Sequence, residues 1–217
     1  MGTVVIDEVH MLEEKERGHR LSGLIARLRF SYPAAQFIYL SATVGNPAAL
    51  AAQLGSDLVD YQVRPVALER HLIFAEFREK RGLLRRLVRE AASKTSSTGY
   101  RGQTIIFTNS RKNCNSLALA IPNSAAYHAG MQYDQRRKVE ALFAEGKVDA
   151  VVTTAALAAG VDFPASQVIF DSLAMGIEWV SVHKLNQMLG RAGRPATQPG
   201  RLSSFPTRAN YLLSLHN

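Results

Sequence analysis

The chain has 217 residues, enough for one large domain or two small ones, and at 47% hydrophobic residues it can bury a core. No apolar run approaches the roughly 18 residues of a membrane span, which argues against a membrane protein. The single Cys114 excludes an internal disulfide, the N-terminus lacks a signal-peptide pattern, and the net charge of +8 suits a polyanion such as nucleic acid; the expected location is the cytoplasm.

In chain order, Val4–Ile6 reads as a buried strand ending in the paired acids Asp7 and Glu8. Leu21, Leu24, Ile25 and Leu28 fall on one face of a helix, and Phe37–Leu40 forms the next strand. Asn46 is placed to cap a helix with Pro47 in its first turn, Leu50, Ala51 and Leu54 on its apolar face, and Gly55 to end it. The pattern lapses from Asp57 to Pro65, which sets a domain boundary there. His71–Phe74 resumes as a strand. Leu83, Leu84, Leu87, Val88 and Ala91 then mark a helix whose other face is strongly basic, and 94–102 reads as a loop. Thr104–Phe107 is a strand, followed by a helix that Ser110 or Asn109 can cap, with Cys114 as a small core residue and Leu117 on its apolar face. Ala125–Tyr127 is a strand, and Asp134 is placed to cap a helix carrying Val139, Leu142 and Phe143. Ala150–Thr153 and Val168–Phe170 are strands, and Ser181 starts a helix with Leu185, Met188 and Leu189 inward. Beyond Pro195 no clear element continues. Continuous apolar strands alternating with helices predict an α/β protein with parallel sheets covered on both faces.

Several strand ends carry chemistry. A fixed strand end with two carboxylates can hold Mg2+ through one and orient an attacking water with the next, although solvated strand ends also look this way. Ser41 and Thr43 put two hydroxyls at the next strand end, able to bond a neighbouring carboxylate and imidazole or simply to satisfy a turn. Thr153 leads into small residues, Gly160 and Asp162, which suits close approach to a phosphate backbone or a tight turn. Gln187, Arg191 and Arg194 lie at a helix end with glycines between them. The two arginines project to one side and suit the spread charge of a γ-phosphate, or complement the helix dipole.

In order, Asp7-Glu8-Val9-His10, Ser41-Ala42-Thr43, Thr104–Ser110, Tyr127-His128-Ala129-Gly130, Thr153–Ala165 and Gln187–Arg194 resemble the DExH type of superfamily 2 helicases. The branch is that of the archaeal DNA-repair and exosome-associated RNA helicases, and the resemblance covers roughly residues 3–196. It implies RecA-like sheets flanked by helices, with 1–65 as the C-terminal half of a first domain and 66–217 as a second RecA-like domain. It also implies ATP and Mg2+ as cofactors, and single-stranded or tailed nucleic acid as partner, DNA favoured. By the resemblance Asp7 coordinates Mg2+ and Glu8 is the general base, while His10, Ser41 and Thr43 couple the ATP site to the nucleic acid. Gln187, Arg191 and Arg194 reach the ATP, and Ser110, Arg111, His128, Gly130, Thr153 and Asp162 lie along the strand.

One element of the pattern is absent: no G-x-x-x-x-G-K-S/T, the loop that cradles phosphates, occurs in the 217 residues. The expectation is a piece of a motor core without the N-terminal half of its first domain and without C-terminal accessory domains, with exposed strand edges and apolar faces that need cover. Two alternatives stay open: a nucleic-acid-binding module that does not hydrolyse ATP, and the translocase subunit of a larger complex.

Overall fold

The structure is a computed structural model that describes residues 2–13, 17–41, 44–60, 68–95, 101–154, 163, 165–175, 178–191 and 207–215. It divides into two compact units, Met1–Gln62 and Val63–Asn217.

In the first unit, β1 (Thr3–Ile6) and β2 (Gln36–Tyr39) pair in parallel, Thr3 opposite Gln36 and Ile6 opposite Tyr39. A short 3-10 turn (Val9–Glu13), α1 (Gly18–Ser31) and α2 (Pro47–Leu54) complete it. The caps of α2 are those the sequence predicts. Asn46 Oδ1 accepts the Ala49 N–H at 3.1 Å, Pro47 opens the helix, and Gly55 closes it at φ 59°, where a Cβ would be strained. Ile6, Val9, Ile25, Leu50 and Leu54 form the core, with Val4, Phe37 and Tyr39 packed against it. Because side chains alternate across a strand, Val5, Ile38 and Leu40 face the other way and are exposed. Among the described residues, the expected buried strand at Val4–Ile6 is therefore buried on one face only, and its ladder neighbour is β2.

The second unit is built on a six-stranded sheet. Its strands are β3 (Leu68–Glu76), β4 (Thr104–Phe107), β5 (Ser124–Tyr127), β6 (Ala150–Thr153), β7 (Gln167–Phe170) and, after a short hairpin of β8 (Ala174–Met175) and β9 (Glu178–Trp179), β10 (Thr207–Leu215). The order is β3-β10-β7-β4-β6-β5, and every pairing is parallel. The helices are α3 (Lys80–Ala92), α4 (Arg111–Ala120), α5 (Tyr133–Ala144) and α6 (Val182–Leu189). Leu84 and Val88 of α3 and Cys114 and Leu117 of α4 cover one face through Ile106, Val152 and Ile169. Val139 and Phe143 of α5 and Met188 and Leu189 of α6 cover the other through Ile105, Val151 and Val168. Phe163 packs edge-on against both Phe143 and Tyr127, with ring centroids 5.1 and 5.2 Å apart. Parallel strands covered on both faces and flanked by helices are the RecA-like arrangement. Among the described residues, no helix is long and apolar enough to cross a membrane.

Four expectations change. β3 runs from Leu68 to Glu76, longer than His71–Phe74. The cap of α5 is Gln132, with extended backbone, and Asp134 sits in the first turn, where the helix dipole favours its negative charge. The β8–β9 hairpin and β10 are additional strands. β10 lies in the stretch beyond Pro195 and pairs with β3 along nine residues.

Candidate functional site

In a parallel sheet the C-terminal strand ends all open to one edge, and loops at that edge collect binding groups. In the first unit the ladder continues past β1: Leu40 donates to Ile6 O at 2.8 Å and Val9 to Leu40 O at 3.0 Å, which fixes the exposed Asp7 and Glu8 between them. Asp7 Oδ1 accepts the Glu8 N–H at 2.8 Å. Glu8 has φ 56°, a left-handed conformation that a residue with a Cβ adopts at a cost. That turn lets Met11 donate to Glu8 O at 3.0 Å and folds His10 back into the core, 4% exposed. His10 Nδ1 then lies 2.9 Å from Ser41 Oγ and 3.2 Å from Glu8 Oε2. One ring nitrogen therefore joins the acid strand end to the hydroxyl at the next strand end, one of the two arrangements the sequence leaves open for Ser41. Thr43 lies outside the described residues, as do Asp162 and Arg194.

In the second unit Ser110 caps α4 by accepting the Asn113 N–H at 3.2 Å, and Arg111 opens the helix, exposed. Gly130 lies where a Cβ would come within 3.1 Å of Arg111 Nη1 and 3.3 Å of His128 Nδ1, so a side chain there would push the two apart. His128 is 7% exposed, and its Nε2 lies 3.2 Å from Asn115 Oδ1. Burial first, and then the positive charge of Arg111, lower its pKa from the ordinary 6.5. A neutral ring facing an amide oxygen, which only accepts, carries its proton on Nε2. His128 and Gly130 line a groove of about 500 Å3 together with Asn115, Met131, Gln135 and Lys138.

Thr153 ends β6, and its carbonyl accepts the Thr108 N–H at 2.9 Å. Its side chain is fully buried, and the hydroxyl donates to Thr154 O at 3.1 Å. Gln187 and Arg191 lie at the end of α6, Gln187 half-buried and Arg191 7% exposed, with the Arg191 carbonyl accepting the Ala165 N–H at 3.3 Å. The structure thus brings together Glu8, His10 and Ser41 in one unit, and Arg111, His128 and Gly130 in the other.

One cluster at the same sheet edge is absent from the sequence reading. Asp171, just past β7, accepts from Thr108 Oγ1 at 2.8 Å and pairs with Lys80 Nζ at 3.1 Å, and Lys80 also donates to the Asp171 carbonyl. Lys80 and Thr108 lie 91 and 63 residues from Asp171, and no local pattern links them.

Helix-flanked parallel sheets with acids, hydroxyls and guanidinium groups at their C-terminal edges define a RecA-like α/β protein. The helicase conserved C-terminal domain family matches residues 69–196, and the DEAD/DEAH box helicase family matches residues 1–50. The chain belongs to the superfamily 2 helicases. It is 54% identical over 200 residues to the probable ATP-dependent helicase MJ1401 of Methanocaldococcus jannaschii, covering 89% of this chain and 25% of the relative. It is 33% identical over 249 residues to the ATP-dependent DNA helicase Hel308 of Pyrobaculum calidifontis, covering 92% of this chain and 35% of the relative. The chain therefore spans between a quarter and about a third of the length of these curated relatives. The fold matches that of the Mycobacterium smegmatis helicase Lhr, solved with ssDNA and AMP-PNP, with a TM-score of 0.70 at 24% identity over 97% of this chain and 28% of that one. It also matches Saccharomyces cerevisiae Dbp5, solved with RNA and ADP BeF3, with a TM-score of 0.67 at 21% identity over 100% of this chain and 54% of that one.

Proposed function

We propose that the chain forms part of the motor core of an ATP-dependent helicase that moves on single-stranded or tailed nucleic acid. In this reading residues 1–65 belong to a first RecA-like domain, residues 66–217 form a second, and the protein works in the cytoplasm. The observation that carries the proposal is the contact of His10 with both Glu8 and Ser41. It gives the acidic strand end a mechanical link to its neighbour, so a change at the carboxylate is felt one strand away.

Exposed paired carboxylates are hard oxygen donors that fit Mg2+. The described residues hold no group of three or more His, Cys, Asp and Glu side chains poised for a metal. That also fits an ion which takes one or two carboxylates and completes its shell with phosphate and water. Mg2+ bound with ATP supplies charge neutralisation on the transferring phosphoryl group. Asp7 would hold it, and Glu8 would orient the attacking water and accept its proton. His10, Ser41 and Thr43 would transmit the state of that site. Gln187, Arg191 and Arg194 would meet the phosphates, where guanidinium groups stabilise spread negative charge. Ser110, Arg111, His128, Gly130, Thr153 and Asp162 would line the strand path through backbone contacts that carry little sequence information. DNA is favoured over RNA because four relatives are named ATP-dependent DNA helicases.

In a protein that joins this chain to a phosphate loop, Arg191→Ala should lower ATP turnover by about three orders of magnitude while nucleic-acid binding persists. Unchanged turnover would remove Arg191 from the site. A second reading, a binding module without hydrolysis, is supported by the net charge of +8, which suits a polyanion whether or not ATP is turned over. It predicts salt-sensitive single-strand binding by the chain itself that ATP does not alter.

A further inference from the structure

We propose that the outer face of α3 is a second nucleic-acid surface, one that holds the phosphodiester backbone of a duplex along the flank of the second unit. It goes beyond the strand path at the sheet edge and stands without it.

Within Lys80–Ala92 there are five cations, Lys80, Arg81, Arg85, Arg86 and Arg89, against the single anion Glu90. The excess of four is half of the chain's net +8, carried by 13 of its 217 residues. Arg81, Arg85 and Arg89 follow one another at four-residue steps, each about 6 Å along the axis, so they form one stripe with Arg86 beside it. Like charges at this spacing repel and weaken the helix, and Glu90 is engaged by Lys94 at 3.5 Å. Among the described residues, no carboxylate lies within ion-pair distance of the four arginines. The helix keeps its place through its buried face, Leu84 and Val88, and through two arginines that reach across to α4. Arg81 Nη2 donates to Ser116 Oγ at 3.2 Å, and Arg85 Nε donates to the Ala120 carbonyl at 2.7 Å. Those bonds fix the direction of two guanidinium groups and leave further N–H donors on each for a ligand.

The chemistry of the face selects the partner. Its exposed residues are Arg81, Gly82, Arg85, Arg86, Arg89 and Glu90, with no apolar side chain among them. A protein interface anchors on buried aromatic or aliphatic groups, and a membrane-surface helix needs an apolar face to insert. This face offers neither. Planar guanidinium forks match phosphate oxygens in pairs. The helix is about 20 Å long, the rise of about six base pairs of duplex. It also runs the right way. Lys80 is tied to Asp171 at the edge that carries Ser110 and Arg111, and the other end reaches Gly102, where a Cβ would clash with the Ala91 carbonyl. A backbone lying on α3 would lead away from the strand path down the side of the unit.

The test is fluorescence anisotropy of the 217-residue chain with a short blunt DNA duplex over a series of salt concentrations. The double variant Arg86→Gln/Arg89→Gln removes no described side-chain hydrogen bond, and the Arg89 carbonyl that accepts the Ser93 N–H is kept. It should lower the slope of log affinity against log salt by about 2 and weaken duplex binding about tenfold, with an unchanged circular dichroism spectrum. Lys94→Gln, two residues past the end of α3 and already paired with Glu90, should stay within about twofold of the parent. A slope that does not move in the double variant overturns the proposal. So does an equal loss per charge in Lys94→Gln, which would mean diffuse attraction. Displacement of the duplex by poly-glutamate as effectively as by unlabelled duplex overturns it in favour of an acidic protein segment. Arg111→Gln, read with a single strand, reports the edge path separately, so the two surfaces can fail independently.

Discussion

β1 and β4 are four-residue strands of nearly the same wording, Thr-Val-Val-Ile and Thr-Ile-Ile-Phe, and they have different fates. In β4, Thr104, Ile105, Ile106 and Phe107 are all fully buried. In β1, Ile6 is buried and Val5 is 56% exposed. β4 lies between β6 and β7 with helices over both faces, whereas β1 has β2 on one side and a core on one face. An apolar run states a capacity for burial, and the neighbours decide how much of it is used. The same contrast separates the functional groups. Those of the first unit stand on a lightly covered strand end, and those of the second on a sheet held from both sides.

The largest expected effect tests that contrast through packing. Phe143→Ala removes a ring wedged against Phe163 in the doubly covered core and should cost about 3–5 kcal/mol. Ile25→Ala, a deletion in the smaller core of the first unit, should cost about 2 kcal/mol, because fewer buried neighbours surround the vacated space. Urea unfolding followed by hydrogen exchange at β1 and β4 separates the two. Equal losses, or equal protection of both strands, would break the comparison.

Next in size is the ion pair that the sequence does not announce. Lys80→Met leaves the mostly buried Asp171 carboxylate with Thr108 but without its cation, and should destabilise the second unit by about 3 kcal/mol. Exchange at β1 should be unchanged. A loss spread over both units would show that they do not unfold as separate bodies.

What sequence alone could reach follows the same line. The caps Asn46, Ser110 and Ser181 were legible because a cap is a local arrangement, one side chain and a backbone N–H three residues on. The interior strands were legible because continuous apolar runs have few other uses. The link from His10 to Ser41 could be anticipated because both follow strand ends that pair. Three features escaped. β10 follows a stretch rich in proline, glycine and serine, and its Leu-rich run suits a helix as well as a strand. The strand order places β10 between β3 and β7, a choice made by long-range packing. The Lys80–Thr108–Asp171 cluster joins three segments that meet only once β4 and β7 are side by side.

The smallest effect sharpens the comparison at the two buried imidazoles among the described residues. His10 turns toward a carboxylate, with Glu8 at 3.2 Å, whereas the charge that acts on His128 is the guanidinium of Arg111. Burial and that positive charge both favour the neutral form of His128, so its pKa in the folded state lies below the ordinary 6.5. A lowered value in the folded state means the unfolded chain takes up the proton first. The stabilisation is complete above pH 6.5 and is lost as the pH falls through the folded-state value. Subtracting the stability of His128→Asn from that of the parent at each pH cancels the other titrating groups, and the difference should shrink with acidification. Arg111→Gln removes the charge but not the burial, so it should weaken this dependence without abolishing it. A difference that grows on acidification would mean the ring is held as a cation, and the Nε2 proton on Asn115 would then no longer follow from neutrality.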